Sequence, residues 1–507
     1  MQHIQGEDRN QMFMFSLESA VPSDAFVRVV DAFVNAIDLK SFDFKHVDCK
    51  EEGRPPYPPS ALIKLYIYGY QNGIRSARNL EREARLNIEV MWLLSGLRPK
   101  YHTIADFRSQ NKKAFREIFR RFVYLLKEWE LVEGDTIAID SFKVRAQNSL
   151  KNNFNEKKID RQMAYIDEKI SEYEQELDRN DKEDEHEEIK KKIEQQESKK
   201  EDYQALRDTL EANDEEQISL TDPDARAVVL HRNIVNVGYN IQSSVDAKHK
   251  LLVEFDTGDV NDTHALAPIA KLTKQTLDVG HINVLADKGY HTGEQIRQCD
   301  EDGITTYISP KALSIHQNDL YPHTMFKYNK EKDTYTCPAG SVLSSNGRWY
   351  RHSERRKGRT PRPYFFKRYT TTDCKTCTQR KKCTYSKHNG RYIDRSEYVD
   401  VIEANNQRVN QNPEYYRKRQ QIAEHMFGTL KRQRGFTHVL VRGREKVLAE
   451  VGLMFIGYNL TRCATILGVE RFIKLLKECC LHIIELKKWL ILSSNNEFLI
   501  SGLKTAV

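Results

Sequence analysis

At 507 residues the chain is longer than a usual single domain, so roughly two or three folded units with ample core are expected. The formal net charge of +7 and pI near 8.7 are mild for the whole molecule. With no apolar run long enough for a bilayer, and opening residues MQHIQGEDRN that lack a signal peptide's basic and apolar regions, a cytoplasmic protein with no membrane partner is expected. Nine cysteines, an odd number unevenly spread, argue against a disulfide framework.

From Ser16 to Leu131 the pattern is helical, through SDAFVRVVDAFVNAI, PSALIKLYIYGYQNG, SARNLEREARLNIEVMWLLSG and TIADFRSQNKKAFREIFRRFVYLLKEW. Pro55, Pro56, Pro58 and Pro59 punctuate its start, and Gly73 and Gly96 mark breaks. Residues 1–131 are therefore expected to form an all-α domain. Arg75, Arg78, Arg82, Arg108 and Lys112 suit a DNA-binding bundle and equally an ordinary charged exterior.

GDTIAID then reads as a short apolar strand with Asp140 after its last buried position, and SFKVRAQNS places Lys143 and Arg145 just beyond. Residues 151–220 are dominated by Glu, Lys, Asp and Gln with sparse apolar residues at helical spacing, the composition of a solvated helical hairpin or coiled coil. It reads as a spacer or dimer arm. VGYNIQSSVDAKHKLLVEFDTG predicts two antiparallel strands turning at Lys248 to Lys250. HALAPIAKLTKQTLDV reads as a helix, INVLAD as a strand ending at Asp287, and GITTYISP as another strand, so a mixed α/β sheet with helices against it is expected.

Residues 312–412 have little hydrophobic periodicity and form an expected basic insertion holding Cys337 in TYTCPAG and Cys374, Cys377 and Cys383 in CKTCTQRKKC. CxxC with two further cysteines is the ligand set of a structural Zn²⁺ site, with reduced free thiols the alternative. Arg351 to Arg368 and Arg417 to Arg434 are densely basic with Tyr and Phe interleaved, as a phosphate-contacting surface would be.

YYRKRQQIAEHMFGTLKRQRGF predicts a helix with Ile422, Ala423, Met426, Phe427 and Leu430 on one side and Arg417, Gln421, Glu424, Gly428 and Lys431 on the other. KVLAEVGLMFIGYNLTRCATIL is an apolar helix that would close the core, and the tail 471–507 has no assigned role. Two aspartates at strand ends and one helix glutamate are the set that holds paired Mg²⁺ ions for in-line attack on phosphodiesters. Asp246, Asp256 and Asp262 rank lower, the first near a hairpin turn and the others in a loop after a strand. His291 and His425 are read as DNA or core contacts, because a metal-bound water needs no histidine.

The series PYPPSALIKLYIYGY, YHTIADFR, IAIDSFKVRA, TDPDAR, GYNIQSSVD, ADKGY, CPAG, CKTC, AEHMFGTLKR and GYNLTR, in this order, resembles bacterial insertion-sequence transposases of the DDE type, in particular the long-chain group with a Cys-bearing insertion before the Glu helix. The resemblance places the family's three carboxylates on Asp140, Asp287 and Glu424. It is similar on one helix to a related branch whose signature joins Tyr416, Arg419, Glu424 and Lys431, with Arg to Glu one residue longer here. It implies an α/β, RNase H-like catalytic core assembled from 132–150, 221–311 and 413–470, interrupted by the helical and Cys-containing insertions. It also implies two Mg²⁺ ions with Mn²⁺ as a substitute, terminal inverted repeats and target DNA as partners, and a homodimer or higher assembly on DNA. A structure-specific nuclease of the same fold and a non-catalytic DNA-binding repressor are the alternatives.

Overall fold

The computed structural model describes residues 10–479 except 11, 13, 43, 49–54, 180–182, 214, 232–233, 311–319, 353–363 and 387. Most of the tail and the middle of the first basic run lie outside the described residues.

The N-terminal region is helical, as its periodicity predicts: α1 (Leu17–Ala20), α2 (Phe26–Asn35), α3 (Pro59–Gln71), α4 (Ala77–Leu86), α5 (Ile88–Leu93), α6 (Tyr101–Gln110) and α7 (Lys112–Glu128). Prolines open α3, where a missing N–H costs no helical hydrogen bond. The Asn87 side chain caps α5 by accepting from the backbone N–H of Glu89 at 3.0 Å.

β1 (Thr136–Arg145) follows. It does not stop at Asp140 as expected, because Phe142 and Val144 are buried and the neighbouring strand pairs with it to its end. β2 (Asn153–Asn155) and β3 (Gln217–Ser219) pair at the base of a long excursion formed by α8 (Glu156–Arg179) and α9 (Glu183–Ala212). These two helices run antiparallel, with Lys200 on Asp167 at 2.6 Å and Arg207 on Asp160. Their shared core is small and lies at the base: Phe154, Ile159 and Leu210.

β4 (Arg226–His231), β5 (Ile234–Asp246) and β6 (Leu252–Gly258) extend the sheet, with the β5–β6 turn where the alternation predicts it. α10 (Leu266–Leu277), β7 (Ile282–Ala286), α11 (Gly293–Glu301) and β8 (Ile304–Ile308) complete it. The six-stranded sheet runs β4-β5-β1-β7-β8, with β6 also on β5; β1 is antiparallel to β5 and parallel to β7, and β7 is parallel to β8. Gly238 marks a close crossing on β5, where an added Cβ would stand 2.3 Å from the Val144 carbonyl oxygen.

A second, five-stranded sheet occupies the stretch where the sequence shows no periodicity: β9 (Lys327–Asn329), β10 (Thr334–Thr336), β11 (Val342–His352), β12 (Tyr364–Thr370) and β13 (Ile393–Ser396). Its core is Phe326, Tyr335, Leu343, Tyr369 and Ile393. The chain returns to the first sheet through α12 (Val399–Gln411), where the buried Asn405 amide bonds both the N–H and the carbonyl of Ile308. α13 (Pro413–Phe427) leads into a π-helical turn, Gly428–Gln433, and α14 (Arg444–Leu467) is followed by a further helix, Val469–Cys479, whose Phe472 and Leu476 are buried in the main core.

α14 is buried on every side from Val447 to Leu460, because the N-terminal helices cover one flank and β6 the other. Its polar residues are matched. Asn459 bonds the N–H and carbonyl of Leu252, each at 2.9 Å. Glu450 receives the Leu440 N–H at 2.9 Å and pairs with Arg75 at 3.2 Å, while Arg75 also donates to the His438 carbonyl. Among the described residues no single helix is long and apolar enough to cross a membrane. Removing one partner of a buried pair leaves the other charge unpaired, so Glu450→Ala should cost about 3–5 kcal/mol, read as a lowered midpoint in chemical denaturation.

Candidate active site

Parallel pairing of β1 with β7 sets Ile139 opposite Ala286, so the next residue on each strand, Asp140 and Asp287, emerges at the same level. Asp287 leaves the strand at once and its carboxylate accepts the Lys288 N–H at 2.7 Å. α13 lies across β1 and contributes Arg419, whose guanidinium reaches Asp140 at 3.4 Å and Asp287 at 4.0 Å. The Asp140 carboxyl is pushed up to about 6, chiefly by burial; the Ser141 N–H and Arg419 pull it down, and Asp262 and Asp287 push it up.

Of the three acids ranked lower from sequence, Asp262 stands near this site. It opens a short 3₁₀ turn, accepts from the Asn240 amide at 2.9 Å and the Gln242 amide at 2.8 Å, and lies against Gly289 in the turn after Asp287. Asp256 corrects its expected loop placement, since it is part of β6 and pairs with Arg116 and Arg444. Asp246 holds the N–H groups of Glu133, Gly134 and Lys248, a structural task. The sequence offered Asp262 as a lower-ranked acid but not its nearness to Asp140, which arises because Asn240 and Gln242 of β5, the strand beside β1, hold its carboxylate.

Glu424 sits on the exposed side of α13 and accepts from the Gln420 amide at 2.8 Å. The described structure thus brings Asp140, Asp287 and Arg419 together and holds the Glu424 carboxylate on its own helix. Among the described residues no group of three or more His, Cys, Asp or Glu stands close enough to hold a metal.

Lys431 departs from the expected polar strip. The α-helix gives way to a π turn after Phe427, and the wider turn carries Lys431 over the Phe142 ring, 5.7 Å from its centroid. Burial lowers its pKa, Asp140 raises it and Lys143 lowers it, which puts all three within electrostatic reach. Arg145 is exposed at the end of β1, its backbone bonded to Thr437 and Val439. Tyr416 is half-buried, whereas its neighbour Tyr415, not singled out from sequence, bonds Thr136 at 2.8 Å. The histidines are internal contacts, His425 with Tyr458 at 3.0 Å and His291 with Asn406 at 3.1 Å. In the second sheet, Cys337, Cys374, Cys377 and Cys383 line one cavity, and none is in a disulfide.

A family sequence model described as Transposase domain (DUF772) matches residues 15–110, and one described as Transposase DDE domain matches residues 336–464. Over these two stretches the chain is similar to transposases, the second of them of the DDE type. The DDE match takes in Glu424, Arg419 and Lys431 and begins after the strands that carry Asp140 and Asp287, which the β1–β7 register sets side by side. Comparison with curated proteins found no match. A solved structure, the cryo-EM structure of piggyBac transposase synaptic complex with hairpin DNA, is similar at 8% identity and TM-score 0.33 over 90% of this chain and 79% of that one, a likeness too loose to carry an argument.

Asp140 holds its proton more tightly folded than unfolded. The stability this contributes is fully present below the unfolded value near 3.8 and is lost as pH rises through about 6. Asp140→Asn should therefore unfold at higher denaturant than wild type at about pH 8, by on the order of 2 kcal/mol, with the gap closing at about pH 4. Equilibrium denaturation of both proteins across this range checks the sign.

Proposed function

We propose that this chain is a DNA transposase that cleaves the ends of an insertion sequence and joins them to target DNA, with Asp140, Asp287 and Glu424 as its catalytic acids. The observation that carries the reading is the pairing of two carboxylates from adjacent parallel strands around one guanidinium, with the Glu-bearing helix laid across them. The sheet supports an RNase H-like core, being four strands paired antiparallel, β4, β6, β5 and β1, continued by β7 and β8 in parallel with helices between.

Hard carboxylate oxygens suit Mg²⁺, which keeps several waters and needs few protein ligands. Asp140 and Asp287 already converge on a single positive group, and a divalent cation would compete with Arg419 for that place. Glu424 joins them on release from Gln420. Two such ions, Mg²⁺ or Mn²⁺, would supply activation of the attacking oxygen and neutralisation at the leaving 3′-oxygen.

The chain's own residues orient the DNA. Lys431, beside Asp140 and Lys143, is placed to contact a phosphate of the scissile strand, and Arg419, once displaced, remains next to the reacting group. Arg145 extends the basic track from the end of β1. The β11–β12 hairpin adds a second surface, with Trp349 and Phe365 exposed beside Arg351 and Lys367. Water as nucleophile nicks the element's end, and the freed 3′-OH attacks target DNA at the same acids. We read the chain as cytoplasmic and acting on paired ends as a dimer or larger, with 1–131 as a DNA-binding domain and the α8–α9 hairpin as an arm between copies.

Incubation with the flanking inverted repeats and a target plasmid should give joined product in Mg²⁺. Cleavage with no joining would instead assign a nuclease of the same fold. Asp140→Ala, Asp287→Ala and Glu424→Ala should each reduce cleavage by on the order of 10³-fold or more while the gel-shift affinity for end DNA is kept. Wild-type protein that binds the ends and never cuts would favour a repressor. Lys431→Ala should weaken binding to all sequences alike and lower the salt slope of log K by about 1.

A further inference from the structure

We propose that the second sheet carries a structural zinc site formed by Cys337, Cys374, Cys377 and Cys383. The inference is independent of the catalytic reading. Cys337 stands far from the other three in sequence, yet all four border the same small cavity, of about 20 Å³, and all are half-buried free thiols.

Local structure presents each of them on a turn. After β10, the Cys337 N–H donates to the Ser341 carbonyl and the Gly340 N–H to the Cys337 carbonyl, each at 2.9 Å, so CPAG closes as a tight loop with the thiol at its start. Cys374 lies in the short 3₁₀ turn Thr372–Lys375, capped by Thr371. The Arg380 N–H reaches the Cys377 carbonyl at 3.3 Å, and the Cys383 N–H the Arg380 carbonyl at 3.0 Å. Two turns that each offer cysteine to a common space are the framework of a Cys₄ zinc site, where tetrahedral thiolates close around the ion. Gly390 packs so tightly on Cys374 that an added Cβ would lie 3.0 Å from its Sγ, which holds this ligand against the cavity. Arg380 and Arg391 border the same space and offset the net negative charge that four thiolates leave around a dication.

The sheet needs such a cross-link. Its five strands share a core of Phe326, Tyr335, Leu343, Tyr369 and Ile393, with Cys337 and Cys383 packed at the margin. With a core this small, the binding free energy of a metal that ties the β10 turn to the turns after β12 adds directly to the stability of the folded sheet. The sulfurs stand wider apart than metal bonds require, so binding draws the turns inward as the thiols release their protons.

The test uses the full chain. After chelator washing and dialysis, elemental analysis should find about one zinc per chain. Co²⁺ exchange should give the absorption of a tetrahedral thiolate site, with ligand-field bands and a thiolate charge-transfer band. Cys374→Ser with Cys377→Ser should lose both signals, and Cys479→Ser should keep them. Wild-type protein that takes up neither metal, with all four thiols open to titration by a thiol reagent, would overturn the proposal. So would finding the four cysteines in disulfides in protein purified without reductant, or undiminished zinc in the double variant.

Discussion

Two carboxylates placed side by side repel each other, and the fold holds Asp140 and Asp287 together by backbone pairing rather than by attraction between side chains. The parallel register of β1 and β7 fixes their level, and Arg419 supplies the positive charge that makes the pair tolerable. That register depends in turn on what lies beneath it. Phe142, two residues beyond Asp140 and therefore on the same face, packs against Phe427, Phe436 and Phe455 with centroids 5.5 to 6.2 Å away. One aromatic cluster thus seats β1, the end of α13, the loop after the π turn and α14 against one another, and the geometry of the site is inherited from it.

The same cluster explains why the N-terminal helices are not a detachable unit. Their buried residues belong to one continuous core with those of the sheet and α14. Glu450 fastens the junction electrostatically: burial raises its carboxyl's pKa, while Arg108, Arg75 and the Leu440 N–H favour the charged form. The N-terminal helices are thus joined to the rest of the body by a shared apolar core and by a buried ion pair.

The two excursions differ physically from this body. The α8–α9 hairpin leaves it through the β2–β3 pair and buries a small apolar cluster at its base, with Ile166 and Ile189 also buried along the helices, so most of its length rests on helix propensity and surface ion pairs, each worth little. The second sheet has a satellite core of its own and a long hairpin whose rings are stacked across strands, Tyr350 on Phe366 and His352 on Tyr364. On this ribbon the exposed Trp349 lies across from Lys367, which bonds Asp333 at 2.9 Å, and the exposed Phe365 lies across from Arg351.

By itself the sequence determined the elements whose burial repeats with a clear period. It specified the helical first quarter, the β5–β6 turn, the strand before Asp287, the charged hairpin, and α14, and it supplied the acids, the cations and the four cysteines. It could not show the second sheet, because the visible faces of β11 and β12 carry aromatic and charged residues on both sides and leave no alternation to read. It could not show the π turn either, since the wider turn at Gly428–Gln433 shifts Lys431 without any local signal. Only the tertiary structure decided that Asp140 and Asp287 are neighbours, that Asp262 stands close by, and that four distant thiols share one space. Each of those is a meeting of segments far apart along the chain, and hydrophobic periodicity reports which side of an element is buried, never what lies against it.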